Sequence, residues 1–204
     1  ALPILTALQT ALWEKCRLVT ANGPLMVTLV GSDAYTAGQF FQGLTTAAWQ
    51  GPLALPAGRK LTTVVPGQAE GPIVGGNLTV LTSLVGTPYA LDGTGCILVL
   101  EDTGEDAYRI DRMLNQLWQS GLLSRVAAIA YGDFTDCPND PGDFTTDQVL
   151  DYYAHLAGKP AIKGLPVGHT KDKAFVPYGV KVRLDADRGG PSLTFIDVCG
   201  LRPL

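Results

Sequence analysis

The sequence is poor in the residue types that most often bind metal ions or nucleic acids. Its 204 residues include two histidines and four cysteines. The cysteines form no C-x-x-C pair, which argues against a zinc site and favours reduced thiols in a reducing compartment. Fifteen lysines and arginines against 19 acidic residues give a formal net charge of −4. Such a chain has little electrostatic attraction for phosphate backbones, so we expect no nucleic-acid partner.

Long apolar runs are also missing. None approaches the roughly 20 residues that span a bilayer, and the first residues lack the basic, apolar and small-residue order of a signal peptide. We therefore expect no association with a membrane. The chain does not begin with methionine, and its opening "ALPILTALQ" is typical of the inside of a helix. We interpret this N-terminus as a cut edge.

The residues that are present indicate a compact, loop-rich protein, since 46% are hydrophobic, 24 are glycine and 14 are proline. Strands alternate with helices between residues 75 and 165, and a β-rich tail follows. This order predicts an α/β or mixed α+β domain. Apolar periodicity and capping residues predict helices at 4–15, 107–120 and 145–156, strands at 96–100 and within 125–134, and a late hairpin of 179–185 with 192–198.

Helix boundaries carry the clearest local signals. Asn77 is placed to cap a short helix that Gly86 closes, and Thr145 with Gln148 forms a capping box at the start of a later one. Gly121 is expected to end the helix over 107–120. The positions predicted to share apolar helix faces are Leu5, Leu8 and Leu12 in the first helix, Leu78, Leu81 and Leu84 in the second, and Ile110, Met113, Leu114 and Leu117 in the third.

Two stretches carry weaker patterns. Residues 17–30 predict short extended pieces broken by an Asn-Gly-Pro turn signal. Residues 45–72 are rich in glycine, proline and threonine without sustained periodicity, which makes them the best candidate for a linker or domain crossover. No internal repeat or low-complexity tract is present.

Histidine chemistry depends on His155 or His169. His155 lies near the end of a predicted helix, where the helix dipole favours it, and we interpret it as structural. His169 lies in the loop "GLPVGHTKDK", after a predicted strand, where folds often present reactive groups. Ser32 follows an apolar stretch and a glycine, but the G-x-S-x-G pattern of a nucleophile elbow is absent. "GGNL" lacks the lysine of a phosphate-binding loop and is interpreted as a tight turn.

Glu101 and Asp102 end the strand predicted at 96–100. One interpretation is structural, because carboxylates are favourable near a helix start. A pair of glycosidase carboxylates is disfavoured, since adjacent residues of an extended chain point to opposite faces. The alternative is that one carboxylate orients a histidine base and stabilises its imidazolium.

Four segments occur in the order and approximate spacing of a known family: "GPIVGGNLTVLTSLVGTPY", "CILVLEDTGEDAYRIDRMLNQLWQSGLL", "AIAYGDFTDC" and "LPVGHTKDKAFVPYG". The chain resembles, over nearly its whole length, the serine LD-carboxypeptidases. These are the muramoyl-tetrapeptide carboxypeptidases of peptidoglycan recycling, and the family includes the microcin C self-immunity hydrolases. The resemblance implies an α/β fold: a mixed α/β C-terminal domain of the swivelling β/β/α type at 71–204, a crossover at 45–70, and at 1–44 the tail of a flavodoxin-like N-terminal domain.

The family's Ser-Glu-His triad maps onto Glu101 and His169, with Asp102 and Glu105 as helix-start neighbours. Alignment puts Pro3 at the serine and Ile4 at the following aspartate, and Asn22 replaces the histidine of the family's His-Gly-Pro-Met segment. The chain is therefore either a fragment or a degenerate member without the nucleophile. We expect it not to hydrolyse its substrate efficiently alone, because triad members act as a unit.

The resemblance implies a cytoplasmic serine peptidase that removes the terminal D-Ala from murein tetrapeptide. It implies no organic cofactor and no metal, a muropeptide as partner, and a homodimer. Two alternatives remain open. One is hydrolysis of microcin C-like peptidyl-nucleotides, and the other is a non-catalytic member that binds muropeptide.

Overall fold

The protein is described from a computed structural model, for residues 4–45, 50–138, 144–187 and 189–196. The helices of these residues are α1 (Ile4–Cys16), α2 (Met26–Leu29), α3 (Ala34–Thr45), α4 (Leu78–Leu84), α5 (Ala107–Gln119), α6 (Leu122–Arg125) and α7 (Thr146–Ala157). The strands are β1 (Thr20–Asn22), β2 (Gly51–Pro52), β3 (Thr62–Val65), β4 (Gln68–Asn77), β5 (Ile97–Thr103), β6 (Ala128–Thr135), β7 (Ala161–Lys163), β8 (Val176–Tyr178), β9 (Lys181–Asp185) and β10 (Ser192–Phe195).

Eight strands form one mixed sheet in the order β2-β10-β9-β4-β5-β6-β7-β3. The central strands β4 to β7 are parallel, and their neighbours on both sides are antiparallel. Strands β1 and β8 form a separate antiparallel pair. This arrangement confirms the predicted mixed α/β fold and the predicted hairpin. Helices connect the parallel strands, as such crossovers require.

The central strands bury both faces. In β5, Leu98 and Leu100 belong to the core shared with helices α4, α5 and α7, whereas Ile97 and Val99 belong to the core shared with β8, β9 and β10. Successive strand residues point to opposite faces, so the two residues that follow Leu100 inherit opposite environments. This alternation determines the surroundings of Glu101 and Asp102.

The predicted helix signals are confirmed. The Asn77 side chain accepts a hydrogen bond from the Val80 amide at 3.1 Å, and Thr145 and Gln148 form the reciprocal capping box. Gly121 adopts a left-handed conformation directly after the C-cap of α5. The four apolar positions predicted for that helix are all buried. Among the described residues, no helix is long and apolar enough to cross a membrane.

Helix α1 buries a different face from the predicted one. Leu8 is 52% exposed, whereas Thr6 and Gln9 are buried. Each residue has a backbone partner on a neighbouring segment: the Asn77 amide donates to Thr6 Oγ1 at 3.1 Å, and Gln9 Nε2 donates to the Ala21 carbonyl at 3.0 Å. Hydrogen bonds to the neighbouring segments therefore override the leucine pattern.

The weakly patterned stretches are more ordered than the sequence indicated. Residues 17–30 contain strand β1 but then a short helix, α2. Residues 45–72, described except for 46–49, contribute β2, β3 and half of β4 to the sheet. The strand pattern of β4 is hidden because Gly71 and Gly75 lie against neighbouring backbone. A Cβ would lie 2.0 Å from the Gly95 carbonyl oxygen at Gly71, and 2.0 Å from the Val99 carbonyl oxygen at Gly75. The division into 1–44, 45–70 and 71–204 stays a prediction.

Candidate active site

Glu101 lies where the pairing between β5 and β6 becomes irregular. Leu100 pairs with Tyr131, but Asp102 pairs with Phe134, so β6 has one extra residue opposite Glu101. Such bulges redirect side chains and are frequent near active sites. Glu101 follows Ile97 and Val99 on the same face of β5, and its side chain is 8% exposed. The Glu101 carboxylate is therefore buried at the edge of the sheet where β5 and β6 end.

His169 lies in the loop that follows β7, and it meets Glu101 there. The distance between His169 Nδ1 and Glu101 Oε2 is 3.0 Å, and the histidine side chain is 24% exposed. An ionised carboxylate can only accept, so Nδ1–H donates and Nε2 remains on the opposite side of the ring. The structure thus brings together the acid and the imidazole that the resemblance implied, 68 residues apart in the sequence.

Two glycines make this approach possible. Gly168 has φ of +122°, and a Cβ there would lie 2.8 Å from Glu101 Oε2. At Gly132, on the bulged strand, a Cβ would lie 2.4 Å from the Val167 carbonyl oxygen. Sequence reasoning did not assign these roles. The sequence shows a glycine before His169 and another in "AYGDF", but it does not show that these glycines contact residues far away in the chain.

Burial raises the pKa of Glu101, because desolvation disfavours the charged form. The hydrogen bond from His169 and the positive charge of its protonated ring act in the opposite direction, and the net direction is upward. A buried carboxylate with few hydrogen-bond donors around it is strongly stabilised when the neighbouring imidazole becomes positively charged. This environment suits an acid that stabilises an imidazolium.

The Asp102 side chain lies on the opposite face of β5, the face that packs against the helices, and it has a structural role. Its carboxylate accepts from Asn77 Nδ2 at 2.8 Å, from both the amide and the hydroxyl of Thr79 at 2.9 Å, and from the Thr103 amide at 2.9 Å. It therefore supports the start of α4, not the start of α5 as expected. Glu105 does lie beside α5, 3.7 Å from Arg109 in an i,i+4 pair.

A cleft of about 370 Å³ opens beside the Glu101–His169 pair. The N-terminal turn of α1 forms part of its wall, because Leu5 and Thr6 line it. Thr6 packs so closely on Gly76 that a Cβ there would lie 2.5 Å from its Oγ1. The other lining residues are Asn22, Gly23, Leu25, Asn77, Thr79, Val80, Glu101, Asp102, Thr103, Glu105, Val167, Gly168, His169, Lys173 and Ala174.

Lys173 also lines this cleft, and the sequence analysis did not anticipate it. It lies four residues after His169, and its backbone amide donates to Thr36 Oγ1 at 3.0 Å. Within the described ranges its ammonium group takes part in no ion pair, whereas the imidazole of His169, the other basic side chain of the cleft, contacts Glu101. Lys173 is thus available to bind an anionic group.

The other candidates lie elsewhere. His155 is exposed on α7, with Nδ1 2.7 Å from the Asp151 carbonyl oxygen, and Ser32 donates its hydroxyl to the Leu29 carbonyl at 3.0 Å and does not line the cleft. Pro3 and Cys199 fall outside the described residues. The described chain contains no group of three or more histidine, cysteine or acidic side chains placed to hold a metal ion.

Residues 70–184 match the family described as LD-carboxypeptidase C-terminal domain. The probable murein peptide carboxypeptidase of Bacillus subtilis (strain 168) is 39% identical over 189 residues, which cover 89% of this chain and 57% of that protein. The microcin C7 self-immunity protein MccF of Escherichia coli is 33% identical over 138 residues, covering 63% of this chain and 38% of that protein.

Among solved structures, the muramoyltetrapeptide carboxypeptidase from Oxalobacter formigenes superposes with a TM-score of 0.79 at 30% identity. The match covers 95% of this chain and 67% of that one. The chain spans 57% to 61% of the length of the first three curated relatives. The matched family region includes both Glu101 and His169. The chain belongs to the LD-carboxypeptidase family.

Proposed function

We propose that the full-length protein is a serine LD-carboxypeptidase that removes the terminal D-Ala from murein tetrapeptide. The observation that carries this proposal is the buried Glu101 carboxylate held 3.0 Å from Nδ1 of His169 at the edge of a cleft. An imidazole fixed through Nδ1 presents Nε2 as a general base, which is the arrangement that activates a serine hydroxyl. The names of the relatives support peptide hydrolysis.

In the proposed mechanism a serine upstream of α1 attacks the scissile carbonyl carbon. His169 Nε2 takes the hydroxyl proton as the C–O bond forms, and Glu101 stabilises the resulting imidazolium. The imidazolium then gives the proton to the nitrogen of the departing D-Ala. Water repeats the same steps on the acyl-enzyme and releases the shortened peptide, so the serine is regenerated.

The position of α1 supports this placement of the nucleophile. Leu5 and Thr6, in its first turn, line the same cleft as His169, so the N-terminal turn of the helix faces the proposed general base. A helix N-terminus also offers free backbone N–H groups to a developing oxyanion. Ser32 is a poorer candidate because its hydroxyl is bonded within its own turn. We accordingly propose that the present chain alone is inactive.

Charge in the cleft supports a peptide substrate with a free carboxylate. We propose that Lys173 binds the terminal carboxylate of D-Ala, since it is a cation without an ion-pair partner among the described residues. The similarity to MccF keeps peptidyl-nucleotide hydrolysis as the second candidate, and a non-catalytic muropeptide-binding protein is the third.

We further propose that the full-length protein is a cytoplasmic homodimer. This rests on the family resemblance and on the free thiols of the described cysteines Cys16, Cys96 and Cys137, which suit a reducing compartment. Sedimentation equilibrium would test the dimer, and cell fractionation would test the location.

The function is tested by D-Ala release in the full-length protein. His169→Ala and Glu101→Gln should each lower kcat/KM by roughly 100- to 10,000-fold while the fold is retained. His155→Ala is the matched control and should leave the rate unchanged. Supplying murein tetrapeptide and a peptidyl-nucleotide side by side decides between the two hydrolases. Binding of tetrapeptide without turnover by the wild type would favour the non-catalytic alternative and overturn this proposal.

A further inference from the structure

We propose that Arg59 is a positioning residue that holds the His169 loop in register with Glu101. Arg59 lies between β2 and β3, in the stretch predicted as a crossover, and it does not line the cleft. The inference rests on the proposed role of His169 and adds to it a guanidinium outside the triad. On this view, the stretch 45–70 contributes a residue that positions the proposed general base.

The guanidinium joins three groups on two segments. Its Nε donates to the Gly164 carbonyl at 2.7 Å, and its Nη2 donates to the Leu165 carbonyl at 2.8 Å. The same Nη2 contacts Asp133 Oδ1 at 2.5 Å. The Arg59 and Asp133 side chains are 19% and 23% exposed, so this ion pair is largely shielded from water. Hydrogen bonds to ionised groups at such sites are stronger than neutral ones.

The two segments are those that set the catalytic pair. Asp133 lies on the bulge of β6, opposite Glu101, and its backbone amide donates to the Val167 carbonyl at 2.9 Å. Gly164 and Leu165 begin the loop that carries His169 four residues later. Arg59 thus ties the start of the histidine loop to the part of the sheet that aims Glu101.

The far side of the loop has its own anchor. Thr36 Oγ1 donates to the Lys171 carbonyl at 3.2 Å and accepts from the Lys173 amide at 3.0 Å. The segment before His169 keeps its backbone hydrogen bonds to Tyr131 and Asp133 when Arg59 is lost. It loses the side-chain anchor at Gly164 and Leu165, so we expect it to shift while the segment after His169 stays in place. The imidazole would then shift relative to Glu101 without unfolding of the domain.

Lysine should not replace this residue. Its ammonium is a single point charge, whereas the planar guanidinium reaches two carbonyls and a carboxylate at once. We therefore expect Arg59→Lys and Arg59→Met to lower kcat by about 100-fold, the cost of a misplacement near 1 Å, with KM within about twofold of wild type. Added guanidinium ion should restore part of kcat to Arg59→Met. Asp133→Asn should show a smaller loss of the same kind.

A second measurement depends on geometry and not on turnover. The low-field proton resonance of the His169 Nδ1–H donated to Glu101, assigned by its absence in His169→Gln, should disappear or broaden in Arg59→Met. Arg183→Met is the control, because Arg183 pairs with Glu70 on the exposed surface, away from the loop. Both measurements use the full-length protein, with melting temperatures as a check on folding.

The outcomes separate this inference from the proposed function. If the wild type releases no D-Ala, the proposed function fails, and the resonance alone decides whether Arg59 sets the pair. A folded Arg59→Met protein with the wild-type resonance would overturn the inference, as would wild-type kcat in that variant. Loss of the resonance together with kcat in Arg59→Met, but not in Arg183→Met, supports it.

Discussion

Replacing Gly168 with alanine perturbs the candidate site through a single added methyl group. Gly168 has φ of +122°, and the new Cβ would lie 2.8 Å from Glu101 Oε2, 3.0 Å from Glu101 Cβ and 3.2 Å from the Asp133 carbonyl oxygen. The glutamate is buried and cannot move out toward solvent freely. Either the loop carrying His169 or the Glu101 side chain must shift, and both shifts lengthen the contact between them.

The expected magnitude has two parts. Holding a non-glycine residue in this backbone region costs about 1–3 kcal/mol, which lowers the melting temperature by roughly 2–12 °C for a chain of this size. The contact adds a functional cost, because a misplacement of about 1 Å at a catalytic pair lowers the rate by about 100-fold. The loss of activity should therefore far exceed what partial unfolding at the assay temperature can explain.

Gly95→Ala is the matched control for this experiment. Gly95 has φ of +70°, but a Cβ there would meet nothing within 4 Å. Both variants carry backbone strain, and only Gly168→Ala also crowds Glu101. Thermal unfolding by circular dichroism and D-Ala release by the full-length protein should show two destabilised variants, of which one is inactive. Equal activity in the two variants would refute the view that Gly168 is required for the Glu101–His169 contact.

Three further predictions concern the same region. Asp102→Asn should destabilise the protein by about 2–3 kcal/mol in urea unfolding, because the amide cannot accept all the hydrogen bonds from Asn77, Thr79 and Thr103 that the carboxylate accepts; a change below 0.5 kcal/mol, within the range of ordinary surface substitutions, would contradict this. Glu101→Gln should gain stability relative to wild type as the pH rises. Burial raises the pKa of Glu101, so its stabilising contribution is present at low pH and is lost as the pH rises through the raised pKa. Urea unfolding of both proteins at several pH values is the measurement, and a difference in stability between them that does not change with pH would rule this out. Lys173→Met should raise KM for tetrapeptide by about 10- to 100-fold with little change in kcat, as expected for a lost charged hydrogen bond to the substrate carboxylate, and steady-state kinetics with an unchanged KM would exclude this role.

Elements with strong local signals were predictable from the sequence. Helix α7 begins at the capping box of Thr145 and Gln148, and α5 buries Ile110, Met113, Leu114 and Leu117 as its periodicity indicated. In each case the hydrogen bonds or contacts that define the element join residues three or four positions apart. A pattern visible in a short window then suffices.

Strand β4 was not predictable in this way. Gly71 and Gly75 weaken any strand pattern, yet both are needed because neighbouring backbone lies where their side chains would be. The partner strands are β9 and β5, which lie far along the chain. Likewise, α1 buries Thr6 and Gln9 because of groups on β4 and β1, against the pattern of its own leucines.

The candidate site was predictable only in part. The family resemblance pointed to Glu101 and His169, and the geometry brings them into contact. The bulge on β6, the role of Gly132 and the three-way contact of Arg59 depend on segments that meet only in the folded chain. No periodicity or spacing in the sequence reports such contacts.

The alternation of β5 explains why two adjacent acids end this strand. Glu101 shares a face with Ile97 and Val99 and is left with His169 as its main partner, so its environment keeps the charged form costly. Asp102 shares the face of Leu98 and Leu100 and receives four hydrogen bonds, from Asn77, Thr79 and Thr103. A one-residue shift in register would exchange the two environments. The bulge opposite Glu101 lies on β6, not on β5, so the site is redirected without disturbing the support that Asp102 gives to α4.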